Sequence, residues 1–226
     1  MDIFVVTAFP KFFSGPFTES ILKRAQEKEI VNIQIVDLRD FTTDKHRQVD
    51  DYPYGGGPGM ILKPEPFFKA VDSIKQENGL QNPRIILMTP QGITYDQKTA
   101  KGLAKCEELI FLCGHYKGVD ERVREFLVTD EISIGDYILT GGELAAMVVV
   151  DSVVRLLPDA IGNFDSAATD SFEGGVLDCP YYTRPEELNG MKVPEVLLSG
   201  HHQEIEKWRK QKALERTKKR RNDLLN

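Results

Sequence analysis

Three places in this sequence carry residue types that could do chemistry. Cys113 and His115 stand two apart at the end of the apolar run ELIFLCG, a thiol beside a base. Two residues so spaced at a strand end do not necessarily face a common substrate, so this pair is a weak nucleophile signal. The stretch Glu131 to Glu143, EISIGDYILTGGE, has a different character: Gly135, Gly141 and Gly142 interrupt an apolar segment. Glycine lets bare backbone approach a flat ligand, so this pattern binds through its main chain. A plain buried turn would read the same way. The third place is a run of charge. Between Lys207 and Arg221 there are nine basic residues and one acid, Glu215. Such a run attracts phosphates, although a solvated helix end has the same composition.

The chain around these places is that of an ordinary globular protein. Its 226 residues, 41% hydrophobic and 28% charged, suffice for one large domain or two smaller ones. The net charge of −6 is unevenly divided. From Tyr181 onward eleven basic residues meet seven acidic ones, a balance of +4, which leaves eighteen against twenty-eight, or −10, for the rest. That asymmetry favours a nucleic-acid partner. Three widely spaced cysteines without a CxxC pair fit reduced thiols, and four histidines offer no usual ligand spacing, so neither a disulfide nor a structural metal is expected. The longest apolar region, Leu144 to Leu157, is broken by Asp151, Ser152 and Arg155, too short and too polar to span a membrane. The N-terminus lacks the features of a signal peptide, which leaves the cytoplasm as the default location.

Apolar runs predict strands at 3–8, 33–38, 84–90, 108–114 and 128–134. They alternate with helices at Glu19–Glu29 (capped by Thr18), from Pro64, near Asp96–Cys106, at Val119–Leu127 and over 143–157. This order predicts an α/β fold with a mainly parallel sheet. Arg39 to Met60 has little periodicity, and a loop of that length is functional or disordered. Asp159 to Gly175 reads as a linker, followed by a Pro- and Tyr-rich segment and a helix from about Gln203 with a basic face. The division expected is a catalytic domain over 1–160, a flexible linker over 161–176 and a small helical domain over 177–226. Three loops, TPQG (89–92), CGHYKGVDER (113–122) and SIGDYILTGG (133–142), leave the carboxyl ends of strands, where open α/β sheets bind ligands. None matches GxGxxG or GxxxxGK[ST], which argues against a dinucleotide or P-loop site.

The motifs GHYKGVDER, SIGDYILTGGE, VDDYPYGGGPGM, DSF, LDCPYYTRP and LLSGHHQEIEKWR, in that family's order, resemble the bacterial tRNA (guanine-N1)-methyltransferases acting at position 37. That family belongs to the SPOUT class. The likeness runs essentially from Met1 to the C-terminus. It implies a trefoil-knotted α/β domain, a homodimer sharing its active site between subunits, and S-adenosyl-L-methionine as methyl donor. It places the donor against Pro90, against Gly114, Tyr116 and Gly118, and against Ser133, Ile134, Gly135, Tyr137, Leu139, Gly141 and Gly142. Main-chain groups of the third loop would meet the adenine. The family's base falls on Asp170, within DSF, and its electrophilic partner on Arg155. Asp170 would become ordered only with RNA bound. Without the resemblance, Asp170 reads first as a linker acid or a helix cap, and Arg155 equally as the ion-pair partner of Asp151. Asp50, Pro58 and Gly59 would wall the target guanine. Lys207, Arg209, Lys212, Arg216 and Arg220 would grip the anticodon stem-loop of a tRNA carrying G36-G37. One position departs: where many members have glutamate, this chain has Lys117. A carboxylate there helps hold a methionine ammonium or Mg2+, and lysine does neither, so a magnesium requirement is doubtful. Two rival readings stand beside this one, a SPOUT enzyme with another RNA target and an RNA-binding module without catalysis.

Overall fold

Runs rich in Ile, Val, Leu and Phe become the strands of one five-stranded parallel sheet. β1 (Asp2–Thr7) pairs with β2 (Asn32–Asp37), while β3 (Asp50–Asp51) and β4 (Ile61–Leu62) make a separate antiparallel hairpin. β5 (Arg84–Thr94), β6 (Glu108–Cys113) and β7 (Asp130–Ser133) complete the main sheet in the order β2-β1-β6-β5-β7. The computed structural model describes residues 1–161 and 170–225, and the chain divides into two compact units, Met1–Gly162 and Asn163–Asn226.

A parallel sheet is stable when both faces are covered, which is why its strands are apolar almost throughout. In β1, Ile3 and Val5 point to one core and Phe4 and Val6 to the other. The first core receives α1 (Ser20–Glu27), Leu103 of α3 (Gln97–Leu103) and Val149, Val150, Val153 and Val154 of α5 (Glu143–Val154). The second receives Phe67, Val71 and Ile74 of α2 (Pro64–Asn78) and Val123 of α4 (Glu121–Phe126). Proline opens α2, and Gly79 at φ 67° ends it in the left-handed conformation that a β-carbon disfavours. Asp96 and Asp120 cap α3 and α4 by accepting from Thr99 N and Arg122 N.

Several boundaries differ from expectation. Thr18 does not cap α1: its hydroxyl donates to Ser14 O at 3.3 Å and Gly15 O at 2.9 Å, so the preceding turn has captured it. β5 runs on to Thr94 because its register on β7 shifts, with Met88 and Ile93 both opposite Ile132. The residues between them, Thr89 to Gly92, form a bulge of β5 against β7. Gly92 is required there, since a β-carbon would lie 2.4 Å from Glu131 C and Ile132 N. Arg39 to Met60 has defined local structure: a 3-10 turn at Leu38–Phe41, an Asp44 carboxylate accepting from His46 N and Gln48 N, and the β3–β4 hairpin.

The second unit is not purely helical. A hairpin of β8 (Glu187–Leu188) and β9 (Met191–Lys192) precedes α6 (Glu195–Leu198) and α7 (His202–Arg220). Leu177 N donates to the Thr217 hydroxyl at 2.9 Å, and Arg216 Nη1 to Asp178 O at 3.1 Å, tying the start of the unit to α7. Residues 162–169, half of the expected linker, lie outside the described residues. Among the described residues no helix is long and apolar enough to cross a membrane.

Candidate functional site

The bulge of β5 and the loops after β6 and β7 border a cavity of about 490 Å³. Pro90, Gly114, Tyr116, Gly118, Ser133, Ile134, Gly135, Tyr137, Leu139, Gly141 and Gly142 all border it. Small residues let these loops meet. Gly142 N donates to Gly114 O at 2.8 Å, and a β-carbon on Gly142 would stand 3.0 Å from Cys113 Cα and Met88 Cβ. Ser133 shapes the third loop by donating its hydroxyl to Gly135 O at 3.0 Å and accepting from Gly135 N at 3.2 Å. Tyr116 holds φ 57°, a conformation uncommon for a bulky residue and concentrated at ligand sites.

Two charged residues that sequence reasoning did not single out organise this cavity. Glu143, the first residue of α5, is 1% exposed, and its carboxylate accepts from the Thr7 hydroxyl at 2.8 Å. Its other oxygen lies 3.6 Å from His115 Nδ1, beyond hydrogen-bond reach, and Phe9 packs over the His115 ring at 4.3 Å. Arg124 of α4 donates to Gln91 Oε1 at 2.5 Å and to Thr89 Oγ1 at 3.4 Å. It also lies 3.2 Å from Glu131 Oε2, though its Nε–H is not aimed along that line. It therefore fastens the bulge of β5 to β7. The one signal for Glu143 is an acid opening an apolar helix, which reads as an ordinary first-turn residue. Cys113 is fully buried, and burial together with the Glu143 charge pushes its thiol well above the ordinary range, so it is no nucleophile.

The β3–β4 hairpin lies against the second loop. Lys117 N donates to Met60 O at 3.1 Å, Leu62 N to Gly118 O at 3.0 Å, and Asp120 N to Leu62 O at 3.0 Å. Asp50, half-buried, sits beside the Tyr116 hydroxyl; burial and then the Asp50 charge raise the pKa of that hydroxyl. Asp50, Pro58 and Gly59 do not line the cavity, and Pro58 and Gly59 are exposed. Gly59 runs beneath the Lys117 stem, where a β-carbon would stand 2.7 Å from Lys117 Cγ. Lys117 borders the cavity. Among the described residues no three His, Cys, Asp or Glu side chains are grouped to hold a metal. Lys117 sets an ammonium in the cavity wall where a carboxylate would attract a divalent cation.

Arg155 is the half-buried C-cap of α5 in the first unit, its N–H donating to Asp151 O at 3.1 Å. Asp170 is half-buried in the second unit, its carbonyl accepting from Glu173 N at 3.2 Å. Of the five cations expected on one face of α7, Arg209, Lys212, Arg216 and Arg220 fall within about 80° of one another, and Lys207 alone stands apart. Lys207 and Arg216 are nine residues apart, which at 3.6 residues per turn sets them on opposite sides. Lys207 pairs with Glu204 at 2.9 Å and Lys212 with Glu215 at 2.7 Å, while Arg216 is engaged with Asp178 O. Arg209 and Arg220 are exposed.

The family model "tRNA (Guanine-1)-methyltransferase TrmD" matches residues 1–226. The tRNA (guanine-N(1)-)-methyltransferase of Brevibacillus brevis (strain 47) is 60% identical over 225 residues, covering 100% of this chain and 91% of its own length. Proteins of the same name from Anoxybacillus flavithermus (strain DSM 21510 / WK1) and Bacillus cereus (strain B4264) are 60% and 59% identical. Both cover 100% of this chain, and 91% and 92% of their own lengths.

Proposed function

Since the chain belongs to the tRNA (guanine-1)-methyltransferase TrmD family and so methylates guanine N1 in tRNA, we propose that the methyl comes from S-adenosyl-L-methionine and goes to guanosine 37. The observation that carries this reading is the cavity: eleven residues from three glycine-bearing loops border one space of about 490 Å³. That size suits a small-molecule ligand, and glycine backbone beside Ile134, Tyr137 and Leu139 suits an adenosyl group.

When bound, S-adenosyl-L-methionine supplies an electrophilic methyl on a good leaving group. The difficulty lies at guanine N1, which bears a proton. In this proposal the Asp170 carboxylate accepts that proton, and the Arg155 guanidinium stabilises the negative charge that develops on O6. Asp50, Pro58 and Gly59 form the wall for the extruded guanine. Arg209 and Arg220, with Lys207, Lys212 and Arg216, hold the phosphates of the anticodon stem-loop beside G36-G37. Asp170 and Arg155 belong to different units, and in this reading a homodimer brings them to one site across the subunit boundary. Leu144 and Val148, four apart on α5 and 46% and 48% exposed, support an apolar subunit contact. The knotted threading implied by the resemblance and a cytoplasmic location belong to the same proposal.

The test is methyl transfer from labelled S-adenosyl-L-methionine to two tRNA transcripts that share G36 and differ only in guanosine or adenosine at position 37. Label in the guanosine transcript alone is expected, and Asp170→Asn should keep donor binding while losing turnover by about 10²-fold or more. Equal labelling of both transcripts refutes the target, and full activity of Asp170→Asn refutes the base.

A further inference from the structure

The second unit carries a groove of which the reading above uses only Arg209. The segment from Pro180 to Glu186 faces α6 and α7 across a cavity of about 480 Å³. Tyr181, Tyr182 and Leu198 line it and are 61%, 50% and 50% exposed. Two guanidinium groups, Arg184 and Arg209, line it as well, and neither makes an ion pair among the described residues. By contrast, Lys207, Lys210 and Lys212 on the same helix are each matched by a glutamate. Trp208, the only tryptophan of the chain, has its ring centroid 6.4 Å from that of Tyr182.

Exposed rings, an aliphatic floor and two guanidinium groups against one carboxylate, Glu186, define the occupant's chemistry. It presents a flat, stackable face and carries negative charge nearby. The balance of +4 from Tyr181 onward selects a polyanion over a neutral peptide. Base-paired RNA hides its faces inside the helix, whereas a loop nucleotide can be splayed onto an aromatic side chain. We propose that this groove takes an unpaired base of the substrate RNA with its flanking phosphate, at a nucleotide other than the one methylated. The proposal rests on the tRNA reading above and adds a second contact, one that recognises loop structure.

Trp208 fluorescence tests it in the full-length protein. A tRNA transcript is expected to quench Trp208, and a blunt RNA duplex with the same number of phosphates is not. Tyr182→Ala and Arg184→Ala, both at exposed positions, should raise KM for tRNA by roughly 5- to 150-fold, the range for losing one stacked base, with KM for the methyl donor unchanged. Tyr182→Phe should behave as wild type, because the ring does the stacking. Wild-type KM for tRNA in both alanine variants overturns the proposal, and so does equal quenching by the duplex. If Tyr182→Ala dissociates the protein into monomers in which the transcript still quenches Trp208 as in wild type, the groove is a subunit contact and the proposal falls. A wild-type protein that shows transcript-specific quenching but methylates no tRNA supports the groove and refutes the reaction.

Discussion

Substituting Gly92 by alanine probes the packing that makes the cavity's first wall. A β-carbon there would lie 2.4 Å from Glu131 C and Ile132 N and 2.5 Å from Glu131 O, against an ordinary contact of 3.4 Å or more. All three atoms are backbone, so no side chain can swing away, and β5 and β7 must part by about 1 Å. That separation falls where Ile93 pairs with Ile132 and Thr94 with Ser133, and next to the bond from Tyr95 N to Ser133 O at 2.8 Å. Overpacking costs about 1–3 kcal/mol, and losing the Tyr95 bond about 1 more, a sum of about 2–4 kcal/mol. This is a large share of the 5–15 kcal/mol typical of a folded domain. Urea unfolding should show a lower midpoint, and donor binding by calorimetry should weaken, because Ser133 begins the third loop. Gly102→Ala is the control: it lies in α3 with nothing within 4 Å of the new carbon, and should stabilise by up to about 1 kcal/mol. A Gly92→Ala protein that unfolds at the wild-type midpoint would refute the account of the bulge.

Glu143→Ala should destabilise the protein by about 1–3 kcal/mol, because the buried Thr7 hydroxyl loses its acceptor; urea unfolding measures this. Burial acts to raise the pKa of Asp130, but its hydrogen bonds from Arg84 and Thr129 prevail and hold it below the ordinary carboxylate value. Its contribution is therefore fully present above the unfolded pKa and lost as pH falls through the lowered folded one. Asp130→Asn should accordingly flatten the acid limb of a stability–pH curve, and an unchanged limb would contradict the assignment. Native Cys113 should resist iodoacetamide at pH 8 while half-exposed Cys106 reacts, as peptide mass analysis would show.

The sheet was legible because strands buried on both faces are written as unbroken apolar runs, and β1 and β6 stand almost where those runs do. Loop positions followed from the strand ends, and the residues lining the cavity came from the motifs. The register shift in β5 had no sequence mark, since whether TPQG continues a strand or bulges is decided by β7, which is distant in the chain. The β3–β4 ladder escaped because two residues are too few for a period to be seen. For α7 the missing step was spacing. Glu204, Glu206 and Glu215 stand three or four residues from their lysines, so a count of cations overstated the free charge. The hydroxyl of Thr18 met a competing acceptor in its own turn, which a capping rule does not weigh.

The three main-chain bonds from Met60 and Leu62 to the loop 117–120 have a mechanical consequence. They staple the hairpin and the second loop into one stiff panel, with Pro58 near one edge and Tyr116 on the other. Gly55, Gly56 and Gly57, whose positive φ and open surroundings leave the torsions loose, all lie on the far side of the staple. In the reading proposed above, Pro58 meets the target base and Tyr116 the methyl donor, and Gly59 is the one glycine between Pro58 and the staple. On that reading, what seats against one edge is felt at the other through the stapled backbone, and such coupling runs equally in both directions.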